Sequence, residues 1–281
     1  MTNDTSNSEA KESLASPQVA GRLWLPFLLP FIVYMVVGSF EPAPPIVYTP
    51  PASEDAEHPA DGQAPPALAV EAENWFGLQY KHYPIVYTVK IALTIAAMLL
   101  VLPGYGKFPF RISPLAIAVG VVGVVLWIWL CHLQLEQELF AAIGLDKLLG
   151  LGERPAYNPL AQLSETPALA YVFLSIRFIG LALVVPIIEE FFLRGLVMRI
   201  VVREDWWNVP FGEVTPLAAV VGTAVPMLMH PGELLAAAVW FSMVTWLMIR
   251  TRNIWDCVAA HAVTNLLLGI YVVSQGQWQL W

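Results

Sequence analysis

Polar side chains that could do chemistry stand in the most apolar part of this sequence: Arg177, Glu189, Glu190, Arg194, His230, His261 and Asn265. An ionisable group among lipid-like neighbours is costly and ordinarily faces a protein interior or a water-filled cavity, where it serves function. Glu189 and Glu190 are adjacent in Pro186-Ile-Ile-Glu-Glu-Phe-Phe-Leu-Arg194-Gly195. On a helix Glu190 and Arg194 are i and i+4 and can pair, while Glu189 points about 100° away. One carboxylate is thereby neutralised and the other is left for acid–base work. Taken alone, a Glu–Arg pair could equally be a structural ion pair. His261 and Asn265, again i and i+4, share a face and could stabilise an oxyanion, hold a water or act as polar glue between helices. His230 closes the apolar stretch Pro226-Met-Leu-Met-His230 and by itself reads as a capping or packing residue. Arg177 is expected to pair with an acid rather than bind substrate.

These residues need helices in a bilayer to bring them together. The chain is 57% hydrophobic and 13% charged, with a mean hydropathy of +0.62, well to the membrane side of a globular domain. A formal net charge of −8 argues against a nucleic-acid partner. The two cysteines, Cys131 and Cys257, form no CxxC or other metal-type spacing and read as packed thiols. Apolar segments run over Leu23–Phe40, Pro84–Leu102, Pro114–Leu133, Ala168–Val202, Pro216–His230, Leu234–Ile249 and Ile254–Val273. The expected fold is an all-α polytopic transmembrane helical bundle of about seven to eight spans. The run from Ala168 to Val202 would be about 52 Å long as one helix. It reads as a single tilted helix kinked at Pro186, with two helices as the alternative. The first apolar stretch is too long for a signal-peptide core and lacks a small-residue cleavage site, so it is expected to stay as a span.

Basic residues alternate along the connecting segments as the positive-inside rule requires, which puts the N-terminus in the cytoplasm and the acidic segment 41–72 outside. The organisation read from this pattern is a disordered tail over 1–21, an N-terminal group of spans over 22–166 containing the Pro-rich acidic loop 41–72, and a catalytic transmembrane unit over 167–275. A short interfacial helix is expected near Glu136–Leu149. Trp24, Trp75, Trp206, Trp207, Trp278 and Trp281 sit near span ends and read as interfacial anchors. Measured at 1.5 Å per residue from the nearest charged end, Glu189 and His261 lie at similar depths, about 15 and 14 Å, but His230 lies deeper, at about 25 Å.

In these residues the chain resembles the CPBP family of intramembrane proteases, which includes the type II CAAX prenyl endopeptidases and the Abi proteins. Its three motifs occur in order. Glu189-Glu190-x-x-x-Arg194 and His261-x-x-x-Asn265 match fully. His230 matches the second, but Pro226 stands where that motif has Phe. The C-terminal half also looks like a bacterial branch associated with exosortase-type sorting systems. The resemblance implies an endopeptidase of the bacterial inner membrane acting on a membrane-anchored or lipidated protein. Glu189 would activate water, His230 would help hold it, His261 and Asn265 would stabilise the oxyanion, and Glu190 and Arg194 would position the site. No cofactor is favoured. The alternative is a divalent metal such as zinc on Glu189, His230 and His261, although no local metal-binding spacing is present. Other readings are a non-catalytic immunity scaffold, a helper subunit of protein-sorting machinery, and a proton-coupled transporter, the last without the internal repeats usual in transporters.

Overall fold

The computed structural model describes residues 23–48, 68–70, 76–136, 138 and 156–281. The tail 1–21, Trp75, the interior of the acidic loop and most of the 136–149 segment lie outside the described residues. Among the described residues the regular structure is helical except for two three-residue strands, β1 (Ile46–Tyr48) and β2 (Leu68–Val70), paired antiparallel with Val47 opposite Ala69. This pair ties together the two ends of the acidic loop, which the composition alone presented only as an extended spacer.

Every apolar segment read from the sequence contains a helix. In order they are α1 (Leu25–Gly38), α2 (Tyr83–Leu100), the one-turn α3 (Leu102–Tyr105), α4 (Pro114–Leu133), the one-turn α5 (Pro159–Gln162), α6 (Pro167–Val202), α7 (Pro216–Leu228), α8 (Leu234–Thr251) and α9 (Ile254–Gln275). α4, α6 and α7 each begin with proline at the first helical position, where its missing N–H costs nothing. Ser113 and Thr215 cap α4 and α7 by accepting from the backbone N–H three residues on. By length and composition α2, α4, α6, α8 and α9 can each cross a membrane, whereas α1 and α7 are shorter. A bundle of several apolar helices is therefore present, with five of full crossing length among the described residues and two shorter ones beside them. The outward faces remain strongly apolar: on α4 alone Ile117, Val121, Val122, Val125 and Trp129 are exposed, as a lipid-facing helix requires.

The long apolar run is one helix, and it absorbs Pro186 differently from the simple kink expected. It widens into π-helix over Gly180–Val184, returns to α-helix over Val185–Glu190, and widens again over Phe191–Val197. A proline ring clashes with the preceding turn and offers no N–H, and a local π turn relieves both problems. Tight packing brings the other helices onto it. α9 lies along α4 at Gly120, where an added Cβ would meet the Ala260 carbonyl at 2.7 Å, and an added Cβ at Gly123 would land on the Trp240 ring of α8. The Thr264 hydroxyl donates to the Gly120 carbonyl across this contact (2.9 Å). Small residues let membrane helices approach in this way. Asp256, in the first turn of α9, accepts from both the N–H and the hydroxyl of Ser113 at the start of α4 (2.7 and 3.0 Å). α8 and α9 are joined by a short turn in which Arg252 takes φ 51° and Asn253 caps α9.

Candidate active site

The carboxylate pair occupies the α-helical turn between the two π segments. Glu190 is fully buried, with Arg194, also fully buried, beside it: Arg194 Nη1 donates to Oε1 at 3.4 Å and Nε lies 3.2 Å from Oε2. The second contact is close in charge but poorly angled as a hydrogen bond, since neither atom has a hydrogen-bond partner. Arg194 Nη2 also donates to the Phe241 carbonyl at 3.3 Å. Glu190 has a further partner that spacing along one helix could not reveal, because His261 Nδ1 lies 2.9 Å from its Oε1. A carboxylate held by an arginine accepts, so Nδ1 carries the hydrogen and Nε2 of the neutral ring carries the lone pair. That Nε2 lies 4.0 Å from Glu189 Oε2.

Glu189, 17% exposed at its side chain, opens instead into a cavity of about 190 Å³. His230, His261 and Asn265 line the same cavity, together with Tyr34, Trp127, Trp240, Phe241, Thr264 and Trp281. Four of the six motif residues thus share one wall, while Glu190 and Arg194 lie beneath it in the protein interior. Two larger grooves, of about 530 Å³ between α7 and α8 and about 450 Å³ beside α2 and Trp255, hold no acid, base or histidine. Chemistry rather than size distinguishes the smaller cavity.

His230 reaches the cavity in spite of its greater axial distance, because α7 stops at Leu228 and the chain turns there. Its Nδ1 lies 2.8 Å from the Pro226 carbonyl. A carbonyl can only accept, so Nδ1 bears the hydrogen and Nε2 is the basic nitrogen. The Phe missing from this motif leaves no gap in the aromatic surround, since the Trp127 and Phe241 rings stand 5.7 and 5.6 Å from the imidazole. Asn265 Nδ2 donates to the Leu181 carbonyl at 2.8 Å. In the π turn the Val185 N–H bonds to the Gly180 carbonyl five residues back. The next N–H in that ladder would reach Leu181, but it belongs to Pro186 and does not exist. The proline thus leaves a carbonyl without its helical partner, and Asn265 of another helix takes it.

Several expectations need correction. Among the described residues Arg177 meets no acid; it donates to the Tyr157 and Trp281 carbonyls (2.7 and 3.1 Å) and stacks over the Trp281 ring. Trp206 and Trp278 are buried, and Trp281 lines the cavity, so these three are packing residues and not interfacial anchors. Trp206 packs edge-on to Phe27 and under Arg199. Cys257 is buried as expected and Cys131 half-buried. Sequence reasoning missed Lys90, a buried ammonium in the middle of α2 paired with Glu41 at 2.5 Å. The rule that singled out the other charges applies to it equally. Tyr34, Trp127 and Trp240 carried no signal, because aromatic residues are ordinary in spans. A zinc set of Glu189, His230 and His261 fits poorly. Two donors about 2.0 Å from a tetrahedral zinc lie about 3.3 Å apart, closer than His261 Nε2 and Glu189 Oε2. Among the described residues no group of three His, Cys, Asp or Glu could hold a metal.

A bundle of apolar helices enclosing a buried Glu–Arg–His cluster beside a polar cavity is the architecture of a multi-pass membrane protein. Residues 171–267, about a third of the chain, match the family described as type II CAAX prenyl endopeptidase Rce1-like, a peptidase family. The match spans all three motifs and supports the assignment of this region to the CPBP intramembrane proteases. No curated protein and no solved structure matches the chain.

Proposed function

We propose that the protein is an intramembrane endopeptidase that hydrolyses a peptide bond of a membrane-anchored or lipidated protein, with Glu189 activating the water. The observation that carries this reading is the division of labour between the adjacent carboxylates: Glu190 is committed to Arg194 and His261, while Glu189 faces the cavity. At about 30 Å³ per water, 190 Å³ accommodates a peptide group and its attacking water.

In the proposed cycle a water in the cavity gives a proton to Glu189 as its oxygen bonds to the scissile carbonyl carbon. The carbonyl oxygen becomes an oxyanion facing the second Nδ2 hydrogen of Asn265 and, when its ring is protonated, His261 Nε2. Glu190 stabilises that imidazolium through Nδ1. The C–N bond then breaks, and the proton held by Glu189 passes to the leaving amine. His230, its tautomer set by the Pro226 carbonyl, accepts from the water and holds it against Glu189. The protein groups suffice for each step without a metal. The host membrane proposed is the bacterial inner membrane, with the N-terminus cytoplasmic. A sorting-machinery partner fits a lipidated substrate. The family match does not favour the scaffold or transporter readings.

The test is cleavage of quenched, membrane-anchored peptides by the purified protein in liposomes. Glu189→Gln, which keeps the shape and removes the base, is expected to lower kcat at least 100-fold, and a strong chelator to leave the wild-type rate unchanged. A chelator-sensitive rate would replace this mechanism with a metal-dependent one, and full activity in Glu189→Gln would end the reading.

A further inference from the structure

Tyr34 lies on α1, outside the matched region and outside all three motifs, yet it lines the cavity beside Glu189, His230, His261 and Asn265. Its place there is held by α1's register on the motif-bearing helix. The Phe27 ring sits against Gly195, where an added Cβ would come within 2.6 Å of it. One turn on, the Phe31 and Phe192 rings stack at 3.9 Å and 5°. Phe27, Phe31 and Tyr34 are spaced i, i+4 and i+7 and so share a face. Fixing the first two aims the third at the site. The Tyr34 ring is held from its other side by Lys90, whose Nζ lies 4.3 Å from the ring centroid and is anchored by Glu41. The Tyr34 hydroxyl makes no hydrogen bond to any described residue.

The hydrogen inventory of the cavity wall gives this hydroxyl a role. An oxyanion needs donors, and the motif residues are mostly spent. The His261 Nδ1 hydrogen goes to Glu190, that of His230 to the Pro226 carbonyl, one Asn265 hydrogen to the Leu181 carbonyl, and the Thr264 hydroxyl to backbone carbonyls. Toward the cavity the motif residues contribute one Asn265 N–H and, only when the His261 ring is protonated, its Nε2 hydrogen. The phenol is a stronger acid than an amide or an indole N–H, and an ammonium over its ring face draws electron density from it. We propose that Tyr34 is a further catalytic residue, donating its hydroxyl hydrogen to the scissile carbonyl oxygen as that oxygen becomes negative, and that Lys90 is the positioning residue that holds its ring. The proposal rests on the endopeptidase reading, and α1 then belongs to the catalytic unit rather than to an accessory half.

The full chain in liposomes tests it against the same anchored peptides. Tyr34→Phe removes one oxygen and should lower kcat about 100-fold, leave KM within about twofold, and leave the melting temperature unchanged. The inhibition constant of an anchored peptidyl phosphinate, whose tetrahedral oxygens mimic the oxyanion, should rise by the factor that kcat/KM falls. Lys90→Met should lower kcat less, with recovery in Lys90→Arg. As a variant that keeps ring and hydroxyl, 3-fluorotyrosine at position 34 should retain kcat within about threefold of wild type. A kcat within threefold of wild type in Tyr34→Phe, a loss confined to KM, or a 3-fluorotyrosine variant as slow as Tyr34→Phe each overturns the proposal. Glu189→Gln, run in parallel, separates the two ideas. If it is inactive while Tyr34→Phe is fully active, the endopeptidase reading stands and the Tyr34 proposal alone falls. If it cleaves like wild type, both fall.

Discussion

At the scale of single residues, the site is organised by which hydrogens are already committed. Glu190 is the hub: it is buried, takes one contact from the same helix and one from α9, and thereby sets both the Arg194 guanidinium and the tautomer of His261. Such a cluster tolerates the loss of one partner badly, because the charge left behind stays desolvated. Arg194→Met is accordingly expected to destabilise the protein by about 3–5 kcal/mol, read as a lowered melting temperature in detergent. The double variant Glu190→Gln with Arg194→Met should recover part of that loss, since no bare carboxylate remains. Equal melting of wild type and Arg194→Met would mean that the pair is screened by water and not desolvated as drawn here.

At the scale of elements, the decisive feature is the pair of π segments flanking the Glu–Glu turn. Pro186 has a chemical consequence as well as a steric one, because the N–H it lacks leaves the Leu181 carbonyl to Asn265 of α9. Pro186→Ala restores an N–H at that position of the ladder, where it competes with the Asn265 amide. The expected outcome is a folded protein of equal or higher melting temperature with kcat reduced about tenfold, the kinetic equivalent of about 1.4 kcal/mol of lost positioning. Unchanged kcat together with unchanged melting would show that Asn265 is held by its own helix alone. The Gly195 that follows the first motif serves α1, since its missing Cβ is the space that Phe27 occupies.

At the scale of the molecule, the matched region supplies the motif residues but not the whole wall around them. Tyr34 comes from α1 and Trp127 from α4, and α4 carries the glycines on which α9 rests. The two parts of the chain should therefore be interdependent. Split within the connection at Gly106–Lys107 and co-expressed, the halves are expected to copurify from detergent and to cleave the anchored peptide together. Neither half alone should cleave it. Activity of the C-terminal half by itself would place the complete site within the motif helices.

Much of this molecule is written in local sequence. The apolar segments all contain helices, because in hydrocarbon the backbone must satisfy its own hydrogen bonds, and the Glu190–Arg194 pair and the His–Asn pair are visible because i, i+4 spacing fixes a shared face. The division between a paired Glu190 and a cavity-facing Glu189 follows from the same spacing. The partner of His261, the seat of Asn265 and the nearness of His230 were decided by the tertiary structure, for each is a distance between helices set by small residues such as Gly120 and by two π turns that shift the register of α6. The burial of Trp206 and Trp278, and the backbone carbonyls that hold Arg177, follow the same logic. Periodicity along one helix says which way a side chain points. Only the packing of helices against one another says what it meets there.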